Sequence, residues 1–113
     1  MTESTHLGKI EISPVAIASL ANHAVLKSYG VVGMSAQPLK QFLTRDAKRG
    51  VQVHVGDQGI TIDLYVVVEY GTRISEVAHN IMENVTFAVE KALGVPVAQV
   101  NVHVQGLRVS ESG

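Results

Sequence analysis

Every second residue from Ile60 to Tyr70 is hydrophobic. Ile60, Ile62, Leu64, Val66, Val68 and Tyr70 fall on one side of an extended chain, and Thr61, Asp63, Tyr65, Val67 and Glu69 on the other. Spacing of period two is the pattern of a half-buried strand. Its length and β-branched content predict a strand flanked on both sides, the spine of a small sheet. Val51, Val53 and Val55 alternate with Gln52 and His54 to give a second strand, joined to the spine through a hairpin loop over Gly56-Asp57-Gln58-Gly59. Val100, Val102 and Val104 point inward in a third strand that ends at Gly106, with Asn101, His103 and Gln105 outward. Lys9–Ile12 reads as a short edge strand and Val31–Met34 as a brief apolar one.

Two stretches carry the helical period instead. Ser13-Pro14 opens the first: a serine oxygen can accept from an orphan amide, and proline is tolerated where its missing donor would be unpaired anyway. This helix is predicted to run to about Tyr29 and stop at Gly30, with Ile17, Leu20, Ala21, Ala24 and Val25 on its apolar side. Gly71-Thr72-Arg73 turns the chain into the second, from about Ile74 to Leu93, with Gly94 and Pro96 as stop signals. Ile74, Val77, Ala78, Ile81, Val85, Ala88, Val89 and Ala92 form its apolar stripe, and Phe87 falls in the middle of the opposite, polar side. The simplest assembly is an α+β two-layer sandwich: a three- to five-stranded mixed sheet with both helices on one face. One domain over residues 8–109 is expected, with loose tails at 1–7 and 110–113.

Composition narrows the chemistry. The 113 residues are 46% hydrophobic and 17% charged, which suits a globular core, and the net charge of -1 gives no general pull toward nucleic acid. The absence of cysteine excludes disulfides, thiolate metal sites and a cysteine nucleophile. The N-terminus does not read as a secretory signal, and no apolar run approaches the ~20 residues of a membrane span. A soluble protein made in the cytoplasm is therefore expected, with membrane contact only peripheral or through another protein.

The open face of the predicted sheet would display His54, Asp63, Tyr65, Asn101 and His103. If their strands are neighbours, His54, Asp63 and His103 converge, and imidazole plus carboxylate is a usable set for a divalent ion. A wet polar face is the plainer reading, and no metal, cofactor or catalytic role is assigned to these residues. No nucleophile elbow, phosphate-cradling loop or placed carboxylate pair is present, so catalysis is not expected. The Gly-x-x-Gly at 56–59 joins two strands rather than two helices, unlike a nucleic-acid clamp. The better functional clues are surfaces. Lys40, Arg45, Lys48 and Arg49 cluster on an amphipathic segment between Ser35 and Gly50, and Phe87 stands among Glu83 and Glu90 like the centre of a protein contact.

Four blocks of the chain resemble a known family. Gly8-Lys9-Ile10-Glu11-Ile12-Ser13-Pro14, Gly30-Val31-Val32-Gly33-Met34, the run from Asp63 to Gly71, and Val100-Asn101-Val102-His103-Val104-Gln105-Gly106 are similar, in order and spacing, to the alkaline-shock proteins. These are also called envelope stress response proteins, of mainly Gram-positive bacteria. The resemblance implies a cytoplasmic, non-enzymatic α/β protein. Some members assemble with themselves and are held at the membrane by a membrane-anchored partner. Others are tied to lipid synthesis through acetyl-CoA carboxylase, which gives an alternative role as regulator of a metabolic enzyme. The family supplies no catalytic or ligand-binding residues to carry over. This chain has Val15 where many members have an acidic residue, and it lacks the charged tails of the longer members.

Overall fold

In the structure, a computed structural model that describes residues 2–34 and 50–109, the alternating run becomes β5 (Gly59–Glu69). Ile60, Ile62, Leu64, Val66 and Val68 are all fully buried. At about 1.5–3 kcal/mol for each large side chain removed from water, this strand is a main source of stability. Tyr70 does not join them: it lies past the strand end and is 65% exposed.

β5 has neighbours on both sides. On one side β4 (Val51–Gly56) runs antiparallel along its first half and β3 (Val31–Met34) antiparallel along its second. On the other side β6 (Val97–Arg108) runs parallel to it over nearly its whole length. Among the described residues the main sheet is thus mixed and four-stranded. Gly56 pairs with Gly59, so the hairpin loop is the two residues Asp57 and Gln58 rather than four. The parallel pairing requires a crossover, which α2 (Ile74–Leu93) supplies.

Both helices cover the same face. α1 (Pro14–Leu26) contributes Ile17, Ala18, Ala21, Ala24 and Val25 to the core, and α2 contributes Val77, Ile81, Val85 and Val89. The Ser13 Oγ accepts from the Ala16 N–H at 3.2 Å, as Ser-Pro at a helix start leads one to expect. Gly94 caps α2 in the left-handed conformation at φ 74°. α1 ends earlier than the spacing predicts, at Leu26. Ser28 takes over there: its hydroxyl donates to the Ala24 carbonyl at 3.0 Å and accepts from Asn84 Nδ2 of α2 at 2.9 Å. A hydroxyl bonded back onto the last turn in this way competes with helix continuation.

The expected loose tail at 1–7 is a correction. Thr2–Thr5 forms β1, paired antiparallel with β2 (Gly8–Glu11) around a turn at His6 and Leu7, in a two-stranded sheet of its own. Lys9–Ile12 accordingly does not edge the main sheet. The tail at 110–113 and the segment 35–49 lie outside the described residues.

Candidate functional site

The uncovered face of the sheet centres on Asp63. Strand register sets it directly opposite Gln52 of β4 and Asn101 of β6, so a carboxylate sits in the middle of three strands. Its Oδ1 accepts from Asn101 Nδ2 at 3.0 Å and meets His103 Nε2 at 3.1 Å, while Oδ2 lies 4.0 Å from His54 Nε2. The convergence of His54, Asp63 and His103, conditional in the sequence on strand order, is realised because β4 and β6 flank β5. Tyr65 and His103, cross-strand partners, stack with ring centroids 4.6 Å apart and planes 12° from parallel. Gln99 Nε2 donates to Asn101 Oδ1 at 2.8 Å, extending the network along β6.

This arrangement has definite chemical consequences. The carboxylate is mostly covered, with 18% of its side-chain surface exposed, whereas His54 keeps 59% and His103 41%. Asp63 already has partners on both oxygens, two of them from β6, so the cluster braces β6 to β5. Among the described residues no three histidine or carboxylate side chains are grouped to hold a metal ion. On the helix side, a wide-open recess of about 720 Å³ lies beside the turn into α2, lined by Tyr29, Thr72, Arg73, Glu76, His79 and Glu83.

The second candidate surface lies on α2. Phe87 is 65% exposed, and Lys91, one helical turn on, places its Nζ 5.5 Å from the ring centroid. That cation–π pair was visible as an i, i+4 spacing in the sequence but was not picked out there. Glu83 is exposed, whereas Glu90 is half-buried and its Oε2 accepts from the Val97 N–H at 2.9 Å. Glu90 therefore fastens the start of β6 to α2. Lys40, Arg45, Lys48 and Arg49 lie outside the described residues.

Residues 2–109 match the sequence profile of the alkaline-shock protein 23 family, described as having a cell envelope-related function. The chain belongs to this family. It is 43% identical over 112 residues to YloU of Bacillus subtilis, a match covering 94% of this chain and 93% of that one. It is 40% identical over 112 residues to Spy1614 of Streptococcus pyogenes, with the same coverage of 94% and 93%. Among solved structures, a zinc form of a MamM CTD variant superimposes with a TM-score of 0.52 at 16% identity, covering 86% of this chain and 89% of that one. A likeness at that identity shows the α+β fold and nothing more.

Proposed function

We propose that this alkaline-shock family member serves the cell-envelope stress response without catalysis, from the cytoplasm, through contacts with a membrane-anchored protein partner and with itself. The observation that carries the reading is Phe87. A large ring left 65% exposed on a helix, with Glu83 and Lys91 around it, has the make-up of a contact centre with a polar rim. The family's cell envelope-related function supports the setting. No helix among the described residues is long and apolar enough to cross a membrane, so attachment through a partner is the route the proposal requires.

The test is affinity purification from the native host of the wild-type chain, Phe87→Ala, and a Lys48→Glu with Arg49→Glu variant. Loss of a membrane-protein partner from Phe87→Ala, with the variant still folded, is the expected result. An unchanged set of partners in both variants overturns the proposed surfaces.

A further inference from the structure

Among the described residues β6 is the longest strand, and it is an edge strand that pairs with β5 alone. Half of its backbone N–H and C=O groups point away from β5, and such an edge is a template for another strand. Proteins usually guard long edges with lysine, proline or inward-pointing charge. From Val97 to Arg108 there is no lysine, proline, aspartate or glutamate, and the one full charge is the last residue. The register shifts, at Ala98 and Gln105, leave Gln99–Val104 as a regular unguarded stretch between them. The inner-face valines tell the same story: Val102 and Val104 are half-buried where their neighbours Leu64 and Val66 on β5 are fully buried.

We infer that this edge pairs with the same edge of a second copy, antiparallel about a two-fold axis at Val102, to make one continuous eight-stranded sheet. The stretch is complementary to itself in this register. Val100 faces Val104 of the other copy and Val102 faces Val102 on the helix side, while Asn101 faces His103 on the open side. Aliphatic cross-strand pairs of this kind are favourable, and no like charges meet. A two-fold contact also closes, removing both edges at once. The inference rests on the proposal that the chain associates with itself and assigns that association a surface.

The chain has no cysteine, so a single introduced thiol reports cleanly. Directly opposed residues in an antiparallel pair have Cα atoms about 4.5–5.5 Å apart, within disulfide range. Under mild oxidation the full chain carrying Val102→Cys should become a covalent dimer, and one carrying Val15→Cys should not. Sedimentation of the untreated protein adds the second arm. Gln99→Lys with Gln105→Lys, two exposed sites that face each other across the axis, should weaken the dimer about tenfold or more, and Gln99→Lys with Gln105→Glu should restore it. A wild-type chain that stays monomeric at millimolar concentration overturns both the inference and the self-association reading. A dimer indifferent to the lysine pair and uncrosslinked at Cys-substituted Val102 overturns the edge alone.

Discussion

Gly30 lies against Val77 so closely that a Cβ at Gly30 would stand 2.8 Å from Val77 Cγ2, and its φ is +89°. The residue is where the chain leaves α1 and enters β3, and its carbonyl accepts from the Glu69 N–H at 2.8 Å. Both the backbone angle and the approach of α2 therefore demand glycine.

Gly30→Ala should cost about 2–4 kcal/mol, combining a left-handed strain with overpacking against a buried side chain. Urea unfolding measures it. Adding Val77→Ala should relieve the steric part and leave the backbone part, so the two changes should couple favourably in a double-mutant cycle. Additive losses would show that the contact is not the cause.

Asp63→Ala removes the shared acceptor of Asn101 and His103 and should destabilise by about 1–3 kcal/mol, whereas Asp63→Asn, which keeps one carbonyl oxygen, should lose less. In NMR spectra the Asn101 side-chain amide protons should exchange faster in the alanine variant. Loss of the Tyr65 ring-current shift on His103 would show in addition that the carboxylate orients the stack.

How much of this was legible beforehand depends on which residues carry their own signal. β5 declared itself because every second side chain had to reach the core. Ser13-Pro14 and Gly94 declared the helix ends because capping chemistry is local. The early end of α1 was hidden because it depends on Ser28 meeting Asn84, a contact between residues 56 apart in sequence. β1 was hidden because Thr2–Thr5 carries no apolar alternation and pairs through its backbone. The period-two alternation placed His54, Asp63 and His103 on one face, but only the parallel pairing of β6 on the far side of β5 from β4 brings both imidazoles to one carboxylate. Glu90 has a role that the sequence did not signal: its place on the polar side of a helical wheel suggested a contact residue, and the chain, returning after Gly94, also delivers the Val97 N–H to it.

Glu90→Ala should therefore free the start of β6 rather than disturb α2. A cost of about 1–2 kcal/mol is expected from the unpaired amide, with Glu90→Gln milder because its carbonyl oxygen can still accept. Native-state hydrogen exchange locates the effect. The Val97 amide should lose protection while those of Ile81 and Val85 keep theirs, and equal losses in strand and helix would contradict the fastening role.

Phe87→Ala and Leu64→Ala remove comparable apolar volume from opposite kinds of site. Leu64 is fully buried on β5, and its truncation should cost about 2–5 kcal/mol through lost burial and the cavity left behind. Phe87 is 65% exposed, and among the described residues only the Lys91 ammonium lies over its ring, so its truncation should move stability by less than about 1 kcal/mol. Thermal unfolding of the two variants side by side checks the contrast. A strongly destabilised Phe87→Ala would mean that the ring is part of the core, and any partner lost with it would then be attributable to unfolding. An unshifted melting temperature combined with a lost partner would separate the contact surface from the scaffold, because only a residue that contributes little to the folded chain alone can be removed so selectively.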